Sequence, residues 1–286
     1  MQVIESAEEM QRRSEELRLS GKTLGFVPTM GFFHEGHLEL MRVAGKHADV
    51  VLISIFVNPA QFGPGEDFDA YPRDMEGDLA KAREVGVDVA FTPLAEEMYP
   101  EGSETTVAVA KLTKRLCGLS RPSHFEGVTT VVAKLFNITK PHIAVFGQKD
   151  YQQLTVIAKM VKDLNLDIQI VGVPTYREPD GLAMSSRNSY LSAEERKSAL
   201  SLKKSMDLAS RMFERGVRDA GGIKAAAERL ILNQPHTKID YVALCHPVTL
   251  EDVDVLGDET LLALAVRVGR TRLIDNCLLG KRAGGS

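Results

Sequence analysis

Short apolar runs alternate with amphipathic helical patterns through the first half of this chain, and this alternation most constrains the fold. A strand buried on both faces of a sheet is apolar throughout, whereas a helix that covers the sheet is apolar on one face only. Such an alternation is typical of a parallel sheet with helices on its faces. We therefore predict an α/β fold with a doubly wound parallel sheet. The predicted strands are 23–27, 50–57, 87–92, 143–146 and 168–173, and the predicted helices are 38–47, 75–85, 127–136 and 151–164.

The pattern changes after the last of these strands. Ser192 followed by Glu195 is typical of a helix start and precedes a long polar helix. A second helix is predicted at 220–232, and strands are predicted at 239–245 and 261–268. These elements indicate a smaller α+β domain, so we expect domains at 1–175 and 176–286. Ser6 with Glu9 predicts one more helix before the first strand.

Composition limits the classes of function. The chain has 286 residues, is 44% hydrophobic and carries a net charge of −4 without a long basic run. These values favour a large core and argue against an extended nucleic-acid or membrane surface. The longest apolar run, 50–57, is too short to span a bilayer, and the N-terminus lacks a basic and then apolar signal. We expect a cytoplasmic protein that binds neither nucleic acid nor membrane.

A turn with two histidines follows the first predicted strand. Gly31 opens this turn, and His34 and His37 lie on its helical side. Helix N-termini attract anions, and histidine ring N–H groups can donate to phosphate oxygens. Half of a metal site, or a pair of solvent-exposed histidines, would give the same spacing. A zinc-protease motif needs histidines four residues apart, and the glycine pattern of NAD-binding folds is missing. The turn therefore favours a nucleotide other than NAD.

A second candidate phosphate segment, Met184 to Asn188, lies beside the predicted domain boundary. Ser185 and Ser186 supply hydroxyl donors, and the guanidinium of Arg187 can bind phosphate as a planar fork. A polar interdomain loop is the alternative, and such a loop can also act as a lid. Together with the histidine turn, this segment suggests ATP cleavage at the α-phosphate.

Polar segments also follow two of the predicted strands, at the edge of the sheet where α/β folds bind ligands. Gly147 allows close backbone approach, Lys149 offers an ammonium group to a phosphate, and Asp150 is suited to a helix cap, a ribose or a metal. Gln61 and Gln153 each offer a donor and an acceptor to a substrate with hydroxyl and carboxylate groups. Simple solvation is the alternative for both glutamines.

At these residues, and along nearly its whole length, the sequence resembles the pantothenate synthetase (pantoate–β-alanine ligase) family. The wider group is that of the HIGH-motif nucleotidylyltransferases, and 184–188 resembles their KMSKS loop. Two variations stand out: Gln148, where many members have Glu, and Phe32 with Phe33 before His34. The matching segments are 27–31 with His34 and His37, 56–59 with 61–62, 71–73, 121–122 with 124–125 and 127–128, 146–150, 180–188 and 273–276.

The resemblance implies a Rossmann-like domain, a smaller C-terminal lid domain and a homodimer. It also implies a two-step reaction that serves coenzyme A precursor synthesis. The carboxylate of (R)-pantoate attacks the α-phosphate of ATP, with Mg²⁺ on the phosphates, to give pantoyl adenylate and pyrophosphate. The amine of β-alanine then displaces AMP to give pantothenate.

The resemblance also implies roles for individual residues. His37, His34, Lys149 and Arg187 are expected to be catalytic, with His37 as proton donor. Gln61 and Gln153 are expected to bind pantoate, and Gln61 also β-alanine. Asp78 is a candidate metal ligand, and Arg121 a candidate contact to substrate or intermediate. The expected ATP-binding residues are Met30, Gly31, His34, His37, Gly147, Gln148, Lys149, Asp150, Tyr176, Met184, Ser185, Ser186 and Arg187.

Two other functions fit the same motifs. A nucleotidylyltransferase would transfer AMP or CMP to a phosphate-bearing acceptor, and its acceptor site should be more basic than one built from Gln61 and Gln153. A regulator that binds a nucleotide without catalysis would not release pyrophosphate.

Overall fold

Six parallel strands form the central sheet of the first of two structural units. The structure, a computed structural model, describes residues 1–280. The first unit comprises Met1–Lys114, Gly118–Gln148 and Gln153–Thr175. The second comprises Arg115–Cys117, Lys149–Gln152 and the described residues from Tyr176. The functions predicted for domains 1–175 and 176–286 stay predictions.

The strands of the first sheet lie in the order β1-β4-β3-β2-β5-β6, and all neighbouring pairs are parallel. This arrangement confirms the predicted α/β fold. The strands are β1 (Gln2–Ile4), β2 (Leu24–Thr29), β3 (Val50–Ile55), β4 (Val89–Phe91), β5 (Ile143–Gly147) and β6 (Gln169–Val173). The helices in this part of the chain are α1 (Ala7–Leu19), α2 (Glu35–His47), α3 (Met75–Glu84), α4 (Ala95–Met98), α5 (Cys117–Ser120), α6 (His124–Thr139) and α7 (Tyr151–Asp163).

The order of the strands reverses at β2, which lies between β3 and β5. The chain continues from β2 to β3 and β4 on one side, and β5 and β6 lie on the other. The ladder between β2 and β5 pairs Gly25 with Ile143 and Phe26 with Ala144. Both strands continue beyond these pairs, to Thr29 and Gly147. Ligands of open α/β sheets bind at such a reversal, beside the carboxyl ends of the strands.

Helix α2 packs closely against β2 because Gly25 has no side chain. A Cβ atom at Gly25 would lie 2.9 Å from the Cβ of Ala48, the residue that follows the last turn of this helix. Met41 and Ala44 on α2 are fully buried in the core of the first unit together with residues of the sheet such as Ile53. This packing fixes the helix whose N-terminus carries the two histidines.

Most predicted elements of the first unit are present with shifted ends. The helix predicted at 38–47 begins at Glu35, and the one predicted at 127–136 covers His124–Thr139. The side chain of Ser6 accepts the N–H of Glu9 at the start of α1, as predicted. The sequence did not predict β1, a strand of three residues at the edge of the sheet.

The second unit contains a three-stranded antiparallel sheet in the order β7-β8-β9. Its elements are α8 (Ala193–Ala199), α9 (Ser201–Glu214), α10 (Ala220–Leu232), β7 (Thr237–Cys245), β8 (Thr260–Val268) and β9 (Thr271–Leu279). The polar helix predicted after Ser192 is divided into α8 and α9 at Leu200. The sequence did not predict β9, whose apolar positions are interrupted by Arg272, Asp275 and Asn276. Over residues 1–280, no helix has the length and apolar character needed to cross a membrane.

Candidate active site

The two histidines lie at the carboxyl end of β2, where the chain turns into α2. Gly31 and Phe32 have positive φ angles of 85° and 54°, and Glu35 begins the helix. The N–H of His34 donates to Nδ1 of His37 at 3.3 Å, and the two rings stack with centroids 4.0 Å apart. Because Nδ1 accepts this bond, a neutral His37 ring carries its proton on Nε2. That nitrogen is therefore a donor, as phosphate binding requires.

Asp78 supports this turn from α3. Its two carboxylate oxygens accept the N–H groups of Phe32 and Phe33, each at 2.6 Å, and its side chain is buried. The ammonium group of Lys81, one turn further along α3, donates to the carbonyl of Phe33 at 2.9 Å. Burial raises the pKa of Asp78, and the two backbone N–H groups partly oppose that rise. The structure shows hydrogen bonds from the turn to Asp78, whereas its role as a metal ligand stays a prediction.

Gln61 has its side chain oriented by neighbours in the first unit. Asn58 donates to the Oε1 atom of Gln61 at 3.1 Å, and the Nε2 group of Gln61 donates to the sulfur of Met30 at 3.2 Å. Asn58 is buried, and its own oxygen accepts the hydroxyl of Tyr99 at 2.8 Å. Burial raises the pKa of Tyr99 to about 12, so this phenol remains a donor at neutral pH. Met30 and Gln61, both predicted site residues, are therefore in contact.

The backbone carbonyl of Gln61 is held by two further side chains. Arg121 donates to it at 3.2 Å, and Nδ1 of His124 lies 2.9 Å from it. Arg121 also forms a bidentate ion pair with Glu66, with one contact at 2.6 Å between Nε and Oε1. Burial tends to raise the pKa of Glu66, but the Arg121 guanidinium lowers it below the ordinary value. Arg121 thus contacts Gln61, and its predicted contact to substrate stays a prediction.

The other predicted residues of the first unit lie around β5 and α7. Gly147 ends β5, and apart from its chain neighbours no residue of 1–280 lies within 4 Å of the position where a Cβ would be. Gln148 follows it and lies near Gly172 of β6. Gln153 lies in the first turn of α7 and is partly buried. Their predicted roles stay predictions.

Lys149 and Asp150 belong to the second unit. They lie in a short 3-10 helix before α7, where Lys149 is partly buried and Asp150 is exposed. The side-chain amide of Asn276 donates to the backbone carbonyl of Lys149 at 2.9 Å. The main chain at the predicted phosphate-binding lysine is therefore fixed from β9.

The predicted second phosphate segment follows a tight turn in the same unit. Arg177 pairs with Ala183 across this turn, and the N–H of Met184 donates to the carbonyl of Tyr176 at 3.0 Å. Ser185 then caps a 3-10 helix, Ser186–Tyr190, by accepting the N–H of Arg187 at 3.4 Å. The two serines and Arg187 therefore lie together at the start of one helical turn.

Asn188 holds the far end of this segment. Its side-chain amide donates to the carboxylate of Glu178 at 2.6 Å and to the carbonyl of Ala183 at 3.1 Å. Arg196 of α8 donates to the other oxygen of Glu178 at 2.5 Å and to Asp180 at 2.7 Å. The segment is thus tied to its own stem and to α8.

Sequence reasoning did not find the residues that position the site. Glu66, Lys81 and Tyr99 were not predicted, Asn58 was predicted only as part of a matching polar segment, and Asp78 was predicted only as a metal ligand. Asn58 precedes a proline at the end of a buried strand, which is the one local signal of its position. Over residues 1–280, no group of three or more His, Cys, Asp or Glu side chains is placed to hold a metal ion.

Comparison with known proteins gives a consistent result. A family model described as pantoate-beta-alanine ligase matches residues 2–278. The pantothenate synthetase of Syntrophus aciditrophicus is 55% identical over 281 residues, which cover 98% of each chain.

Solved structures agree with this match. The crystal structure of pantothenate synthetase from Thermus thermophilus matches with a TM-score of 0.91 and 44% identity, over 97% of this chain and 99% of the other. The pantoate-beta-alanine ligase from Francisella tularensis, crystallised with beta-gamma ATP and beta-alanine, matches with a TM-score of 0.79 and 32% identity over 97% of each chain. With agreement in sequence and fold over nearly its full length, the chain belongs to the pantoate–β-alanine ligase family of enzymes.

Proposed function

We propose that this ligase joins (R)-pantoate to β-alanine through a pantoyl-adenylate intermediate. A pantoate carboxylate oxygen attacks the α-phosphorus of ATP, and the bond from that phosphorus to the bridging oxygen breaks, which releases pyrophosphate. The β-alanine nitrogen then attacks the acyl carbon. The bond from this carbon to the AMP oxygen breaks, AMP leaves, and the nitrogen loses a proton to give the amide of pantothenate.

The geometry of the histidine turn is the main observation that supports this proposal. His37 has its Nδ1 occupied by the N–H of His34, so its Nε2 is a donor at the N-terminus of a helix. This turn lies where the strand order of the sheet reverses. A donor at a helix N-terminus, on a turn whose backbone is held by Asp78, is suited to stabilising the charge that develops on phosphate oxygens. We propose that His34 and His37 both bind phosphate oxygens and that His37 also acts as the proton donor.

Further ATP contacts are proposed for each unit separately. In the first unit, Met30, Gly31, Gly147 and Gln148 would lie against the nucleotide. In the second, Lys149, Ser185, Ser186 and Arg187 would bind phosphate oxygens, and the backbone near Tyr176 and Met184 would contact the nucleoside. Asp150 would bind either the ribose or Mg²⁺. The common helical turn of Ser185 and Arg187 supports this assignment.

The fixed orientation of Gln61 supports a role in pantoate binding. Asn58 donates to its side-chain oxygen, so its amide group has a defined direction. Gln153 is proposed as a second pantoate contact, and Gln61 as a contact to β-alanine. The Francisella tularensis ligase was crystallised with an ATP compound and β-alanine, and its likeness to this chain supports the same ligand classes here.

Mg²⁺ is proposed to arrive with ATP. Magnesium in nucleotide sites is held mainly by phosphate oxygens and water, with one or two carboxylates from the protein. The exposed carboxylate of Asp150, shortly after Gly147, suits this mode better than Asp78, whose oxygens accept backbone N–H groups. Bound there, the ion would neutralise phosphate charge. We further propose a cytoplasmic homodimer that binds neither nucleic acid nor membrane.

The experiment that tests the intermediate is pantoate-dependent exchange of labelled pyrophosphate into ATP, with Mg²⁺ present and β-alanine absent. Exchange that requires pantoate is the expected result, because only reversible adenylate formation returns pyrophosphate to ATP. A folded enzyme that makes pantothenate, shows no such exchange and traps no adenylate in its first turnover would refute the proposed intermediate. Exchange driven by a phosphate-bearing acceptor instead of pantoate would favour a nucleotidylyltransferase.

A further inference from the structure

The segment 273–276 matches the family, yet none of its residues has a role in the function proposed above. It lies in β9, the last strand of the second unit. Asp275 and Asn276 are neighbours there: Asn276 contacts the segment of Lys149, and Asp275 contacts the turn that leads into the second phosphate segment. Successive residues of a strand point to opposite faces, so one dipeptide can reach two segments at once.

Asp275 contacts the stem of the second phosphate segment. Its two oxygens accept from the two terminal nitrogens of Arg177 at 2.7 and 2.9 Å. Only 2% of the Asp275 side chain is exposed, against 24% for Arg177. Arg177 also donates to the carbonyl of Gly181 at 3.1 Å, inside the turn that leads to Met184. A bidentate pair of this kind fixes orientation as well as distance.

Asn276 contacts the segment that contains the phosphate-binding lysine. Its side-chain amide donates to the carbonyl of Lys149 at 2.9 Å. Its backbone N–H donates to the Oδ1 atom of Asp275 at 2.8 Å, the oxygen that also accepts from Arg177. The two contacts are therefore linked through one carboxylate.

We propose that Asp275 and Asn276 are positioning residues for ATP: together they set the distance between the main chain of Lys149 and the Arg177 turn that leads into Met184–Asn188. The inference rests on the proposed phosphate roles of Lys149 and Arg187. According to this inference, β9, which belongs to neither phosphate segment, determines the position of one segment relative to the other.

The decisive experiment is a double-mutant cycle of Asn276→Ala and Lys149→Ala, with steady-state kinetics for ATP and pantoate. Asn276→Ala removes the hydrogen bond to the Lys149 carbonyl from a partly buried side chain and is expected to leave the protein folded. We expect a roughly tenfold lower kcat/KM for ATP, since small misplacements of a catalytic group are costly, with the KM for pantoate unchanged. In the Lys149→Ala background, the same change should have little further effect, because interacting residues are non-additive.

Asp275→Asn tests the other contact, with Asp240→Asn as its matched control. Asp240 is paired with Arg272 on the same sheet at 2.9 and 2.7 Å and touches neither phosphate segment through that pair. Asp275→Asn should raise the KM for ATP severalfold, whereas Asp240→Asn should leave it unchanged. If Asp275→Asn does not fold, the double-mutant cycle decides alone.

The outcomes separate the inference from the function on which it rests. The positioning role would be overturned by unchanged ATP kinetics in Asn276→Ala, or by effects that add in the double mutant. Neither outcome would change the phosphate-binding role of Lys149. Full activity in Lys149→Ala would overturn the phosphate role of Lys149 first, and the inference with it.

Discussion

Asp78 accepts the N–H of Phe32 at 2.6 Å and so holds a bulky residue at a φ of 54°. Left-handed backbone is unfavourable for such a residue, at a cost on the order of 1 to 3 kcal/mol. The second bond, from the N–H of Phe33, also ends on Asp78. Charge-assisted bonds of this kind offset the strain. The shape of the histidine turn therefore depends on a carboxylate from another helix.

Replacing Asp78 by Asn should distort this turn. The amide can accept one of the two N–H groups but turns its own donor toward the other, so about 1.5 to 3 kcal/mol of hydrogen bonding is lost. We expect a lower midpoint of thermal unfolding and slower pyrophosphate exchange. Glu76→Gln, on the exposed side of the same helix, is the control and should change neither. Wild-type exchange and stability in Asp78→Asn would show that the turn keeps its shape unaided.

The fold was largely predictable because strands buried on both faces are apolar throughout. The six residues of β3 are all buried, and this strand was found within two residues. β9 was missed because Asp275 and Asn276, which serve distant contacts, interrupt its apolar pattern. The histidine turn was found from local spacing. The supporting roles of Asn58 and Asp78 could not be predicted. Some of their partners lie far away in the sequence, and a single buried polar residue gives no periodic pattern.

His37→Ala and Lys149→Ala should each reduce pyrophosphate exchange about a hundredfold to a thousandfold, the usual loss when one preorganised donor to developing charge is removed. Neither side chain is part of a hydrophobic core, so circular dichroism should show intact folding. His47→Ala, at the exposed end of the same helix, is the matched control for His37. Near-normal single-turnover adenylate formation in either variant would remove that residue from the catalytic set.

The ion pair between Glu66 and Arg121 should make stability depend on pH. The folded-state pKa of Glu66 lies below its ordinary 4.5, so the stabilisation is complete above that value. It is lost as the pH falls through the folded-state pKa. Glu66→Gln should lower the free energy of unfolding by about 1 kcal/mol at neutral pH, since the pair is partly exposed. Denaturant titrations from neutral pH to about pH 3 should show this difference shrinking below pH 4.5; a difference independent of pH would contradict the ion-pair origin.

Gly127 and Gly45 should respond in opposite ways to the same substitution. Both lie inside helices, where Gly→Ala normally stabilises by about 1 kcal/mol. A Cβ at Gly45 would meet Val51 at an ordinary 3.6 Å, so Gly45→Ala should raise stability. A Cβ at Gly127 would lie 2.2 Å from the carbonyl oxygen of Ala60, so the turn that carries Gln61 must move. Gly127→Ala should therefore lower the midpoint of thermal unfolding and raise the KM for pantoate, with the KM for ATP less affected.

Equal stabilisation by Gly45→Ala and Gly127→Ala, with unchanged pantoate kinetics, would contradict this prediction. It would show that the turn of Gln61 moves without loss of stability and that its position does not determine pantoate binding.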